Sequence, residues 1–527
     1  MPAPRPITRP APKPLPDVPA SATGAGPGAE GSAGASIACA NAPMQTAATR
    51  SAVIHSQRGF EIFAKHGQHS GACALLPRPT ATQRRALARF CVANHNMRAF
   101  LATFVLLAAC GGGPATPAPD ADLPDAAPAD GRCAEGYAGA ACVIARYEEA
   151  AATCDPTAIT TLRTELDARA QLGPLWATGR ALFRTAAPTA IAGAFNGWST
   201  SALQTAPLCA SDLVLALGDV ATGFWTYKLF AHDTWSLDAR NPAFAYDDFT
   251  GNPERENSVL NTPDSGRGHL VRLDEACAAT LGNCREVTAY LPPGYTAPSA
   301  PTYPVLFMHD GQNLWDDHTC CFGHTGWELN VTLDAKIAAH EVAPIIVIGA
   351  ASTPQRNSEY GLDDVVLAKF LAFQTTELQP QALAQVRWDH GKLGIAGSSL
   401  GGLVAMHLAF THPALYDRAA SLSGAFWPGQ DTGTAVRDLV PTWGPQPLAI
   451  YLDHGGNVAT NADGAADSVE VRDLLVGLGW QRADSPSCVP SATALCYFAD
   501  GGATHDELAW KARAWRFLQF LYPATSP

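Results

Sequence analysis

Along the second half of the chain the apolar residues gather in short runs: "REVTAYLPPGY", "YPVLFMHDGQNLWDD", "EVAPIIVIGAA", "KLGIAGSSLGG", "AASLSGAF" and "PLAIYLDHGG". Segments of helical period, such as "LDAKIAAHE" and "DVVLAKFLAFQTTELQP", separate them. Buried strands alternating with helices predict a mostly parallel sheet covered on both faces, hence an α/β domain over 268–524. Ligands of such a sheet bind beyond the carboxyl ends of its strands. Upstream, over 187–263, short β-rich runs alternate with Gly, Asn and Asp turns ("TAIAGAFNGWST", "SDLVLALGDVATGFWTYKLFAHDTWSLD", "NSVLNT"), which predicts a small β-sandwich. Over 133–183, "VIARYEEAAATC" and "AITTLRTELDARAQLG" carry helical spacing, with "CDPT" as break and cap between them, and predict a helical lead-in.

One apolar run has a different character. "MRAFLATFVLLAACGGG" is too short to span a bilayer as a helix and reads as the core of a signal peptide over 97–110. Its ending, Leu107-Ala108-Ala109-Cys110, resembles the lipobox of bacterial lipoproteins, which implies that Cys110 is lipidated and becomes the mature N-terminus. Met97 is then the expected start, and 1–96, rich in Pro, Ala, Gly and Ser without periodicity, is either disordered or an extension lying outside the real reading frame. The Pro/Ala/Asp stretch 111–132 predicts an extended tether. Gly111 stands where many inner-membrane lipoproteins carry Asp, so the expected location is the outer membrane or cell surface of a bacterium, with membrane contact through the lipid alone.

Composition adds two exclusions. A formal charge of −13 with no basic run argues against nucleic acid as a partner. Of the 14 cysteines, those beyond Cys110 are Cys133, Cys142, Cys154, Cys209, Cys277, Cys284, Cys320, Cys321, Cys488 and Cys496, an even set that suggests disulfides in an exported chain. Cys277 with Cys284 and Cys488 with Cys496 are close enough in sequence to be bridged. Asp310, Asp316, Asp317, His318 and His324 cluster in one stretch, but their spacing matches no ligand motif, and neither a metal nor another cofactor is expected.

The chemistry centres on "KLGIAGSSLGGLVAMHLAFTHP". A strand, two serines between Gly397 and Gly401, and a helix form the sharp turn on which an α/β-hydrolase nucleophile stands, with Ser399 as that nucleophile and Ser398 as its neighbour. A serine hydroxyl needs a base, and in this fold the base follows the nucleophile and the acid. His505, on the Gly-rich loop of "FADGGATHDELAW", has that position, ahead of His407, His412 and His454. The acid should lie on the loop after "LAIYLD". Asp463 is preferred, with Asp467 and Asp453 as alternates, because Asp467 can cap the next helix and Asp453 can lie inside the strand. Leu400, the residue after the nucleophile, supplies one backbone N–H of an oxyanion hole.

The stretch 268–522 resembles the family that includes enterochelin esterases, esterase D and bacterial feruloyl and acetyl xylan esterases. "HDGQNLW" closely matches its signature, and "WELN", "RNSEY", "TTELQP" and the H-x-E-x-x-W of His505, Glu507 and Trp510 follow in the family's order. The resemblance implies that Gln312 supplies the second oxyanion N–H. The upstream phrases G-x-F-N-G-W, Tyr-Lys, D-x-W and N-S-V-L resemble the immunoglobulin-like early-set sandwich called carbohydrate-binding module 48, which implies glycan contacts at Trp198, Lys228, Trp235 and Asn257. A serine esterase acting on a small-molecule siderophore ester or on an acyl or feruloyl ester of a polysaccharide is therefore expected. The alternatives are an acyltransferase on the same fold, or a glycan-binding surface lipoprotein with a silent hydrolase domain.

Overall fold

The computed structural model describes residues 132–134, 139–169, 173–247, 255–297, 299–316, 320, 325–429 and 435–524. The signal peptide, Cys110, the extension 1–96, most of the tether, Asp317, His318, Cys321 and His324 lie outside the described residues.

Among the described residues two helices come first: α1 (Ala140–Thr153) and α2 (Pro156–Ala168). The break between them forms as "CDPT" predicts. Cys154 takes a left-handed conformation that ends α1, and the Asp155 carboxylate accepts from Ala158 N at 2.9 Å to cap α2, with Pro156 at the first helical position. Strands β1 (Leu175–Ala177), β2 (Arg180–Thr185), β3 (Ala190–Gly193), β4 (Ala206–Pro207), β5 (Val214–Asp219), β6 (Phe224–Ala231), β7 (Thr234–Ser236), β8 (Ala243–Tyr246) and β9 (Glu256–Asn261) follow. They divide into a sheet of order β1-β2-β5-β4 and a second group, β8-β9-β6-β3, with β7 on β6. Ala181 and Phe183 of β2 meet Ile191, Tyr227 and Leu260 between the two sheets. Leu182, which points the other way, packs with Leu215 against Val143, Ile144 and Leu162 of the helices. The helical expectation for 133–183 therefore fails at its end, where β1 and β2 already belong to the sheets. Leu182, between Arg180 and Arg184, is buried on one face of β2 as Phe183 is on the other, so no clean alternation of apolar and polar positions marked it as a strand.

The chain continues through β10 (His269–Ala278), β11 (Asn283–Leu291), β12 (Val305–His309), α3 (Leu329–Ala338), β13 (Ile346–Ala350), α4 (Asp364–Phe373), α5 (Gln379–Leu383), β14 (Leu393–Ser398), α6 (Leu400–Thr411), β15 (Tyr416–Leu422), α7 (Val436–Trp443), β16 (Ala449–Gly455), α8 (Ala465–Gly477), β17 (Gln481–Asp484), β18 (Ala494–Asp500) and α9 (Glu507–Leu521). The sheet order is β17-β18-β16-β15-β14-β12-β13-β11-β10, parallel from β12 onward and antiparallel at β11 and β10, so it is a large mixed sheet. Val305 and Phe307 of β12 face one core with α4, α6 and α8, while Leu306 and Met308 face the other with α3 and α9. Burial on both sides explains the unbroken apolar runs. The β8-β9-β6-β3 group is not separate: β10 pairs with β8 through Leu270↔Phe244 and Val271↔Ala243, which joins that group to the large sheet, while β1-β2-β5-β4 stays a sheet of its own.

Four disulfides lie among the described residues: Cys133–Cys142, Cys154–Cys209, Cys277–Cys284 and Cys488–Cys496. The last two are the pairs expected from sequence proximity.

Candidate active site

Strand order reverses at β12, which sends the chain outward to β13 and then back across to β14. The carboxyl ends of β12 and β14 therefore lie at the switch point where open α/β sheets place their ligand sites. Ser399 stands at the end of β14, at φ 54° and ψ −127°, between strand and helix. Of the flanking glycines, Gly397 is required by backbone contact and Gly401 sits where a side chain would crowd a neighbour. A Cβ on Gly397 would lie 2.5 Å from the Gly401 carbonyl carbon, and one on Gly401 would lie 3.1 Å from Asp310 Oδ2. The turn is tied to its neighbours by Ser399 N–H to Leu422 O and Ala425 N–H to Ser399 O, both at 3.0 Å.

His505 Nε2 lies 2.9 Å from Ser399 Oγ, and its Nδ1 is hydrogen-bonded to Asp463 Oδ1. Three side chains separated by 64 and 42 positions thus form one hydrogen-bonded line (463 − 399 = 64; 505 − 463 = 42). The Asp463 side chain is 1% exposed, whereas that of His505 is 41% exposed and open to a substrate. Burial pushes the Asp463 carboxyl up, but hydrogen bonds from His505, the Ser423 hydroxyl and Gly455 N–H outweigh it and hold the group below the ordinary carboxylate range. An imidazole held by an ionised carboxylate on one side and in line with a serine hydroxyl on the other can take the proton of that hydroxyl as the serine oxygen attacks a carbonyl.

The other acids are engaged elsewhere. Asp453 is completely buried inside β16 and accepts from Arg513 Nε at 3.0 Å, Tyr451 OH at 3.0 Å and Ser423 N–H at 3.1 Å. Burial raises its proton affinity and the Arg513 guanidinium opposes that. Asp467 sits in the first turn of α8 and accepts from Asn461 Nδ2 at 3.1 Å. Among the rival histidines, His454 bonds Tyr497 OH at 2.6 Å, and burial takes His407 down to about 4. His412 ends α6, beside Thr411 Oγ1 at 2.8 Å.

Gln312 follows β12 on a single helical turn, Gly311–Asn313. Its side-chain amide is fixed in both directions on Ser352, donating to Oγ and accepting from the backbone N–H, each at 2.9 Å. Asp310 reaches this turn in a left-handed conformation and is clamped by Arg356 through Nε at 2.7 Å and Nη2 at 2.8 Å. Gly311 is required there, because its Cβ would lie 2.5 Å from the Gly349 backbone. Leu400 is the first residue of α6, so its N–H has no carbonyl within the helix to bond. Asp310 thus belongs to an ion pair rather than to a ligand set. Among the described residues one group has metal-ligand spacing, Glu275 with Cys277 and Cys284, and its two sulfurs form a disulfide.

Sequence reasoning missed Ser423, Gly455 and Arg513, which surround Asp463. Nothing in their spacing links them; only the packing of β15, β16 and α9 does.

The upstream residues fare differently from the expectation. Trp198 and Trp235 are 38% and 40% exposed, with ring centroids 6.2 Å apart. Lys228 and Asn257 are 4% and 3% exposed, and Asn257 donates to Asp247 at 2.7 Å. Buried polar ends cannot reach the hydroxyls of a surface sugar, so these two are corrected to interior positions.

Residues 278–471 match the model of a family described as "Putative esterase". The matched span holds Gln312, Ser399, Leu400 and Asp463 and stops short of His505. The chain is 28% identical over 241 residues to the iron(III) enterobactin esterase of Dickeya dadantii (strain 3937), covering 43% of this chain and 51% of that protein. It is 25% identical over 161 residues to the uncharacterized protein YbbA of Bacillus subtilis (strain 168), covering 27% of this chain and 58% of the relative. The chain therefore spans little more than half the length of the curated relatives it matches. A solved structure of the enterobactin esterase FES from Shigella flexneri superposes with a TM-score of 0.38 at 15% identity, over 68% of this chain and 97% of that one. A ferulic acid esterase does so with a TM-score of 0.35 at 17% identity, over 49% and 98%.

Proposed function

We propose that this chain is a serine esterase that cleaves a carboxylic ester through an acyl-enzyme. The observation that carries the reading is the unbroken line Asp463–His505–Ser399, with the serine at positive φ on a strand-to-helix turn. Ser399 Oγ attacks the ester carbonyl carbon while His505 Nε2 takes its proton. The tetrahedral oxyanion is held by the N–H groups of Leu400 and Gln312. His505 then gives the proton to the departing alkoxide, which leaves as the alcohol. Water repeats the cycle on the acyl-enzyme and releases the acid and free Ser399. Asp463 stays ionised throughout and keeps His505 in the working tautomer.

The match to the esterase family model and the named enterobactin esterase among the relatives support an ester substrate, and a siderophore ester is the first candidate. The exposed Trp198 and Trp235 favour a second reading, an acyl or feruloyl ester on a polysaccharide whose sugar faces stack on an early-set, immunoglobulin-like sandwich. The disulfides support an exported protein, in keeping with lipidation at Cys110 and a place on the bacterial envelope.

Turnover of p-nitrophenyl acetate and methyl ferulate by the chain from Arg132 onward, beside Ser399→Ala, tests the proposal. Loss of turnover in the variant is the expected result, and retained turnover overturns it. Product analysis with a sugar acceptor separates hydrolysis from acyl transfer. Glycan pull-down with Trp198→Ala tests the polysaccharide arm.

A further inference from the structure

Asp463 has two carboxylate oxygens with different duties. Oδ1 meets His505, while Oδ2 accepts from the Ser423 hydroxyl at 2.6 Å and from Gly455 N–H, with Arg513 Nη2 3.8 Å away. Ser423 follows β15 in a left-handed conformation, φ 46°, and is completely buried. A hydroxyl offers one hydrogen and two lone pairs. Trp510 Nε1–H donates to Ser423 Oγ at 3.0 Å, and Arg513 Nη2–H donates to it as well. Both lone pairs are occupied, so the hydroxyl hydrogen has one direction left, towards Asp463.

We infer that Ser423, locked as a donor by Trp510 and Arg513, is a positioning residue that fixes the carboxylate of Asp463 for His505. This rests on the serine esterase reading. Arg513 is in turn pinned by Asp453, so the arrangement reaches from the middle of β16 to the nucleophile through groups that have no contact with substrate. Trp510 acts twice, because its ring also meets the His505 imidazole edge-on at 5.0 Å and 81°. The buried arginine therefore stabilises the negative charge of Asp463 indirectly, by orienting a neutral donor, as well as by its own charge. The charged and titratable groups facing Asp463 are His505 and Arg513, with Asp453 behind the arginine.

The test uses a fluorophosphonate probe on the full chain, so that acyl specificity plays no part. The unaltered chain is labelled at Ser399, read by mass spectrometry. Ser423→Ala is expected to lower the labelling rate about tenfold at saturating probe, with the half-saturating concentration unchanged. It also moves the acid limb of the pH–rate profile upward, because a carboxylate that loses a donor turns more of its charge on His505 and favours the imidazolium, which cannot take the Ser399 proton. Trp510→Phe keeps a ring beside His505 and removes one lock, and it shifts the limb in the same direction by a smaller amount. If Ser423→Ala does not fold, as judged by its melting transition, Trp510→Phe alone decides. Rates within twofold and an unmoved acid limb overturn the inference, as does a slower rate with the limb unmoved. A wild-type chain labelled elsewhere than Ser399 instead overturns the esterase reading beneath it.

Discussion

At the scale of single residues, three acids compete for one role in the sequence, and their surroundings separate them. Asp463→Asn is expected to lower ester turnover about 10³- to 10⁴-fold with the fold intact, because an amide facing His505 selects the wrong tautomer. Asp467→Asn should stay within about twofold, since its carboxylate serves Asn461 and the start of α8. Asp453→Asn leaves the buried guanidinium of Arg513 without its counter-charge, so it should cost about 3–5 kcal/mol of stability in urea unfolding. That Ser399, His505 and Asp463 meet was legible because chain order and glycine spacing single them out. Ser423 and Arg513 were not, because a serine after a strand and an arginine in a final helix have no local signature. Lys228 and Asn257 misled for a related reason: the residue types suit a sugar, but burial is a property of the fold.

At the scale of elements, the turn from β14 to α6 depends on backbone approaching backbone. Gly397→Ala forces a Cβ against the Gly401 carbonyl, and neither side can give way by rotating a side chain. The expected loss is about 1–3 kcal/mol, measured as a lower urea midpoint, together with weaker turnover because the strand-to-helix turn that holds Ser399 is spread. The alternation of apolar strands and helices made the parallel sheet readable, since each central strand is buried on both sides. The same property hid β2, whose two faces serve different cores, Phe183 towards the facing sheet and Leu182 towards the helices. Period-two reasoning finds strands with one wet face and overlooks those with none.

At the scale of the whole chain from Arg132, the pairing of β10 with β8 joins what composition divides. A fragment beginning at 268 would expose the open edge of β10 beside Leu270 and Val271 and should scatter more light, as larger particles, than the longer chain at the same concentration. Acid should weaken this molecule before any triad carboxylate titrates. His269, His309 and His407 are buried, and burial takes each from an ordinary value of 6.5 down to about 4. The folded chain holds them neutral while the unfolded chain binds their protons, so the stability they contribute is complete above pH 6.5 and is lost as pH falls towards 4. Each contributes a slope of up to about 1.4 kcal/mol per pH unit in that window. Urea midpoints measured from pH 7 to pH 4 should therefore fall continuously, and His407→Gln should flatten the slope by one proton. A slope unaltered in that variant would mean that His407 takes up its proton in the folded chain, which requires the core around α6 to admit water.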